Sequence, residues 1–86
     1  MSNDPTTARR RCLLLSLWAA EHSTANVHQL VRELYLTHNL TVSNDQVRGD
    51  LTWLREQSLV RFHDDVAQLA ERGADVALKA APWPGE

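Results

Sequence analysis

Polar side chains that can hydrogen-bond to nucleic-acid bases and phosphates are concentrated between residues 43 and 55. An arginine can bind guanine through two hydrogen bonds, an asparagine or glutamine can bind adenine in the same way, and a threonine can contact a phosphate or a thymine methyl group. The segment therefore predicts a surface that reads double-stranded DNA. Its predicted contact residues are Ser43, Asn44, Gln46, Arg48, Thr52 and Arg55.

The same segment carries the signals of a helix. Ser43 followed by a glutamine three residues later is the pattern of a capping box. Val47, Leu51 and Leu54 then recur at the spacing of one helical face. The sequence predicts a helix from Ser43 to Gln57 that buries this stripe and leaves the opposite face to a partner or to water.

Two further helices are predicted before it. Asp4 is a good N-cap with Pro5 at the first helical position, and the first helix is expected to run to about His22. Asn26, with a glutamine three residues on, predicts the start of a second helix that ends near His38. Only three residues, LTV, lie between Asn39 and the third helix, and so tight a connection is typical of a helix-turn-helix.

The residues after Ser58 predict a β-hairpin and a last helix. Val60 and Phe62 alternate with polar residues, two aspartates interrupt, and the apolar pattern resumes before ERGADVALKA. The predicted fold class is therefore mainly α with a short β-hairpin: a winged helix-turn-helix of three helices, a two-stranded wing and a C-terminal helix. We predict one domain over residues 1–79 and a flexible tail over 80–86, where two prolines prevent a helix.

Composition limits the other possibilities. A chain of 86 residues can build one modest core, and 43% hydrophobic with 23% charged residues is ordinary globular usage. The leucine-rich run near residue 15 is far shorter than the roughly 20 residues of a membrane span, and no signal-peptide pattern is present. One cysteine, Cys12, and four histidines without ligand spacing predict no disulfide, no metal and no cofactor. A cytoplasmic location is expected.

Charge opposes the DNA-reading hypothesis. The net charge is −2, and residues 27–58 carry three arginines against four carboxylates, whereas DNA-binding domains usually show a basic patch. Asp64 and Asp65 also lie where the wing tip would approach a phosphate. Basic residues elsewhere could still bind the DNA backbone, and the predicted contacts of this kind are Arg9, Arg10, Arg11 and Arg61.

The stretches SNDQVRGDLTWLREQSLVRF and LAERGADVA resemble small winged-helix proteins of Mu-like phages and prophages. The pattern of that family joins DQVRxDLxWLxxxGLV to TERGxDVA, and the resemblance extends from Arg9 to about Lys79. Its winged-helix half is shared with bacterial regulators of the ArsR and MarR types. The resemblance implies a winged-helix fold, a phage or prophage setting in a bacterial host cell, and a protein similar to transcription regulators.

Two positions depart from the family pattern. Ser58 stands where glycine usually ends the third helix, so a left-handed turn there would be somewhat strained or would be replaced by a serine-capped turn. Ala70 stands where threonine usually caps the last helix, which should weaken that helix start by about 1 kcal/mol. Both changes concern stability and leave the predicted reading face untouched.

A protein-interaction module is the alternative to a DNA-binding regulator. The chain has three tryptophans, and Trp53 and Trp18 would be anchors for a partner if they were exposed, although packing of Trp53 under the wing or the last helix is the simpler interpretation. A homodimer through the terminal helices is a further expectation. No phosphate-binding glycine loop, nucleophile elbow or paired-histidine motif is present, so an enzyme is not expected.

Overall fold

The computed structural model describes residues 4–85. Within this range the chain forms a small, mainly helical domain with four α-helices and a three-stranded antiparallel sheet. The elements are α1 (Pro5–Ala19), β1 (Thr24–Asn26), α2 (Val27–His38), α3 (Asn44–Glu56), β2 (Val60–His63), β3 (Val66–Leu69) and α4 (Glu71–Ala77). Their order is compatible with the predicted winged helix.

The starts of the first three helices are confirmed. Asp4 caps α1 by accepting a hydrogen bond from the Thr6 amide. At the start of α3 the Gln46 amide donates to Ser43 Oγ at 3.0 Å, and the Ser43 amide donates to Gln46 Oε1 at 2.9 Å. Asn26 forms the same reciprocal pair at the start of α2. These capping boxes fix where the chain enters α2 and α3.

The predicted end of α1 near His22 is wrong. The helix ends at Ala19, Ala20 is extended, and a short 3-10 turn follows over Glu21–Ser23. His22 and Ser23 have φ values of 57° and 52°, which no α-helix can accommodate. This turn directs the chain into strand β1, a strand that was not predicted from the sequence.

The hairpin is confirmed, and β1 extends it to a sheet of order β1-β3-β2. Val60 pairs with Leu69 across β2 and β3, and residues 24–26 pair with 66–68 across β1 and β3. Asp64 and Asp65 form the hairpin turn with φ values of 51° and 61°. Two consecutive positive φ values are the pattern of a tight two-residue turn, so β2 and β3 are joined by Asp64 and Asp65 alone.

One hydrophobic core lies between α1, α2, α3 and the sheet. The predicted stripe of α3 is buried, together with leucines of the other helices and of the connection into β2. The core side chains that are at most 1% exposed are Leu13, Leu14, Leu17, Leu30, Leu34, Val47, Leu51, Leu54, Leu59 and Ala67. These elements therefore hold the exposed surface of α3 in a defined position relative to the hairpin.

Helix α4 packs closely on the chain that enters β2. A Cβ atom on Gly73 would lie 2.0 Å from the Leu59 carbonyl oxygen, so a glycine is needed for this approach. Both departures from the family pattern are visible nearby. Ser58 has a φ of 64°, and Ala70 supplies no side-chain hydrogen bond to the start of α4.

The segment after α4 returns to the body of the domain. Trp83 is 6% exposed and stacks on Trp53 of α3, with 5.8 Å between the ring centroids. The predicted flexibility of residues 80–86 stays a prediction, and Glu86 lies outside the described residues; within this segment Trp83 packs on α3. Over the described range, no helix combines the length and the apolar character needed to cross a membrane.

Candidate nucleic-acid interface

The starts of α2 and α3 meet the hairpin turn on one side of the domain. Together they line an open recess, which we call the α3 recess and which is formed by Asn26, Val27, His28, Asn44, Arg48 and Asp65. The Val27 amide donates to the Asp65 carbonyl at 2.9 Å, so the hairpin turn is attached to the start of α2. Three separate parts of the chain thus present their polar groups to the same space.

Arg48 is the cationic side chain of this recess. It projects from the second turn of α3 and donates to both carboxylate oxygens of Asp65, from Nε at 3.1 and 3.2 Å and from Nη2 at 2.9 Å. Its Nη1 donates to Asp45 Oδ1 at 2.9 Å. All three guanidinium nitrogens of Arg48 are therefore engaged by carboxylates.

This arrangement changes the electrostatics of the recess. Hydrogen bonds to Asp65, and to a smaller extent to Asp45, raise the pKa of Arg48. The hydrogen bonds that Arg48 donates lower the pKa of Asp65. One cation with two carboxylates leaves the cluster with a formal charge of −1. Arg48, which was predicted to contact bases, lies on the partly exposed side of α3, and its charge is balanced by these two carboxylates.

The other residues predicted on α3 have different surroundings. Asn44 lines the recess beside Arg48, whereas Ser43 and Gln46 use their side chains in the capping box. Thr52 Oγ1 donates to the Arg48 carbonyl at 2.9 Å. Arg55 Nη1 donates to the Phe62 carbonyl at 3.3 Å, which ties α3 to β2.

Two arginines of the first helix contact α3 and do not line the recess. Arg9 donates from Nε and Nη2 to the carboxylate of Asp50, and Arg10 donates from Nε to the same carboxylate at 3.0 Å. Asp50 is only 2% exposed, and its hydrogen bond raises the pKa of Arg9. These arginines are part of the contact between α1 and α3, while Arg61 is exposed on β2.

The burial of Asp50 and its pairing with two arginines were not predicted from the sequence. A signal was present, because Asp50 lies three residues after Val47 and four before Leu54, on the side of the helix that is buried. A carboxylate at such a position needs cationic partners. Its partners lie forty and forty-one residues earlier in the chain, and no local pattern connects them.

Trp53 and Trp18 have opposite environments. Trp53 is half-buried between Trp83 and Arg10, whose guanidinium carbon lies 4.3 Å from the centre of a Trp53 ring. Arg11 lies in the same way over Trp83, at 4.7 Å. Trp18 is 49% exposed on α1, so of the two predicted partner anchors it is Trp18 that is presented to the surroundings.

Cys12 lies in surroundings that lower the reactivity of its thiol. Its thiol is partly buried on α1, and burial raises its pKa. Among residues 4–85, no three histidine, cysteine, aspartate or glutamate side chains lie together in a group that could hold a metal ion.

Comparison with known proteins gives the family. The domain belongs to the class of small, mainly helical domains with a three-stranded antiparallel sheet. No protein-family model matches the chain, and no solved structure matches it. It is 35% identical over 81 residues to "Uncharacterized protein gp26" of Escherichia phage Mu, an alignment that covers 90% of this chain and 83% of the relative. The chain belongs to the family of this Mu phage protein, which confirms the predicted Mu-like phage relationship.

Proposed function

We propose that this chain is a winged-helix protein that binds double-stranded DNA and acts as a transcription regulator of a Mu-like phage or prophage. The observation that carries the proposal is the convergence of three elements on the α3 recess: the start of α2, the start of α3 and the tip of the hairpin, which is the wing of this fold. In helix-turn-helix proteins the second helix of the motif enters the major groove while neighbouring elements contact the backbone.

The dimensions of α3 suit this role. Its 13 residues give a helix about 20 Å long, and a major groove about 12 Å wide admits one helix. The outward face of this helix carries Asn44 and Arg48, which have the chemistry to bind adenine and guanine.

Gly49 supports a close approach to this face. It lies in the middle of α3, is exposed, and has no neighbouring atom within 4 Å of the position that a Cβ would take. A glycine inside a helix costs about 1 kcal/mol relative to alanine, and no packing constraint in the domain requires one here. The absence of a side chain leaves room for a partner surface to approach the helix backbone closely.

The acidic residues near the recess predict modest affinity for DNA of random sequence. Most non-specific affinity comes from neutralising phosphates. Arg9 and Arg10 hold Asp50, and Arg48 is bound by two carboxylates, so these three cations contribute less to this term than their number suggests.

Fluorescence anisotropy with random and native phage duplexes, at low and near-physiological salt, tests this function. Arg48→Ala should weaken binding, whereas Arg72→Ala, which removes the same charge from the exposed surface of α4, should have a smaller effect. Gly49→Leu should weaken DNA binding while leaving the fold stable, because its side chain would fill open space on the reading face. Equal affinity of the Arg48→Ala and Arg72→Ala variants would remove Arg48 from the interface.

A protein-interaction module is the second candidate, and the exposure of α1 favours it. Leu15 is 40% exposed and Trp18 is 49% exposed, and their spacing of three residues places them on one face of the helix. We propose this face, with α4, as the contact of a homodimer in the host cytoplasm. Light scattering, which measures the molar mass in solution, tests this contact. We expect a dimer for the wild type and a larger monomer fraction for Trp18→Ser, and a wild-type monomer would contradict the proposal. We propose no catalytic activity.

A further inference from the structure

The Arg48–Asp65 contact has the geometry by which arginine binds a phosphate. Asp65 offers two oxygens to Nε and Nη2 of Arg48, and the three donor–acceptor distances lie between 2.9 and 3.2 Å. Paired N–H groups of arginine bind carboxylates and phosphates in the same bidentate manner. A DNA phosphate and the Asp65 carboxylate would therefore require the same donors of Arg48.

We propose that the wing tip is an autoinhibitory element, in which Asp65 occupies Arg48 and DNA must displace it. This inference rests on the proposed DNA-binding function and adds its regulation. Its consequence is discrimination between sequences. A single phosphate of random DNA gains little by replacing the carboxylate, whereas a site that also offers base contacts to Arg48 and Asn44 can compensate for the lost ion pair.

The wing holds Asp65 in place. Its carbonyl accepts from the Val27 amide at 2.9 Å, and the next residue, Val66, pairs with both Asn26 and His63 in the sheet. The turn contains only Asp64 and Asp65, both with positive φ. The backbone of Asp65 is thus held by the start of α2 and by the adjoining sheet residue, so Arg48 can be released by rotation of two partly exposed side chains.

Charge argues against the opposite role, in which the aspartates would orient Arg48 for binding. Asp45 also accepts from Arg48, so the cluster of Arg48, Asp45 and Asp65 carries a formal charge of −1 beside the recess. An arginine that the aspartates only orient would have to keep a net positive charge to attract DNA. The second carboxylate leaves the cluster with a net negative charge. The exposed Asp64 in the same turn adds a further negative charge at this tip.

The structure supplies a matched control for the experiment. D65N and D64N remove one carboxylate each from the same two-residue turn, but Asp65 binds Arg48 while Asp64 contacts His63 at 3.2 Å. Asparagine tolerates positive φ, so both variants keep the turn. D65G and D64G form a second pair in case the asparagines disturb the hairpin, because glycine adopts positive φ readily. Circular dichroism checks that each variant is folded.

Affinity for one random duplex is then measured by fluorescence anisotropy over a range of salt concentrations. We expect D65N to bind up to about fivefold more tightly than D64N, the range of an exposed ion pair. We also expect the plot of the logarithm of the binding constant against the logarithm of the salt concentration to be steeper for D65N than for D64N. The expected difference corresponds to about one phosphate contact. The difference between the two variants should disappear when each is combined with R48A.

Other results would overturn the inference. If D65N binds no better than D64N, or worse, Asp65 does not compete with DNA, although wild-type binding would leave the proposed function intact. If the difference persists with R48A, it reflects general charge and not release of Arg48. If neither wild type nor D65N binds the random or native duplexes at low salt, the autoinhibition and the DNA-binding proposal are both overturned.

Discussion

Replacing Asp50 by asparagine should destabilise the domain strongly. Asp50 is 2% exposed and accepts hydrogen bonds from Arg9 and Arg10, so the substitution leaves two guanidinium groups without their carboxylate. Removing one partner of a buried ion pair costs about 3–5 kcal/mol. The side chains of Arg9 and Arg10 are 20% and 22% exposed and can turn toward water, so we lower the expected loss to about 2–4 kcal/mol.

That loss is large for a domain of this size. A total free energy of unfolding of about 4–13 kcal/mol is typical for 86 residues. With about 4–8 °C per kcal/mol for small domains, the melting temperature should fall by roughly 8–32 °C. Urea unfolding followed by circular dichroism and tryptophan fluorescence measures the free energy of unfolding, and equal m-values would show that the variants unfold by the same transition.

Asp45→Asn is the matched control on the same helix. The side chain of Asp45 is 92% exposed and accepts one hydrogen bond from Arg48. The free energy of unfolding should therefore fall much less for Asp45→Asn than for Asp50→Asn. A loss below about 1 kcal/mol for Asp50→Asn, or one equal to that of the control, would refute the view that the Asp50 cluster joins α1 to α3.

Three other perturbations test the packing. Trp83→Ala should lower stability by about 2–4 kcal/mol and shift Trp53 emission to longer wavelength, because the stacked ring is removed; unchanged emission would show that the rings are not stacked in solution. Ala70→Thr should raise stability by about 1 kcal/mol in urea unfolding by supplying the absent cap of α4, and no gain would mean that the cap is satisfied by water. Cys12 should react slowly with an alkylating reagent at pH 8 in the folded protein and rapidly in urea, because burial raises the thiol pKa and lowers the thiolate fraction; equal rates would contradict this.

The helices and the hairpin could be predicted because their signals are local. The capping boxes at Ser43 and Asn26, and the stripe of Val47 and its successors, lie within a few residues of the structure that they specify. The turn at Asp64 was visible as an interruption between two alternating runs. Such signals need no information about the rest of the chain.

The missed features depend on distant partners. Strand β1 is three residues long, and only its pairing with β3, about forty residues later, makes it a strand. The burial of Asp50 depends on arginines in α1, and the packing of Trp83 depends on Trp53. For the same reason the sequence could predict that Arg48 lies opposite the buried stripe of α3 but could not show that Asp65 binds it.

The central position of β3 has a consequence for synthesis of the protein. A chain emerges from the ribosome N-terminus first, and β1 can pair only with a strand that begins at Val66. Until that strand has been made, α1 and α2 have no sheet to cover their leucines. The contact of Gly73 with Leu59 and the stacking of Trp83 on Trp53 form later still. The sheet-facing apolar side chains of these helices therefore stay uncovered until late in translation, and a chain truncated before Val66 should expose them.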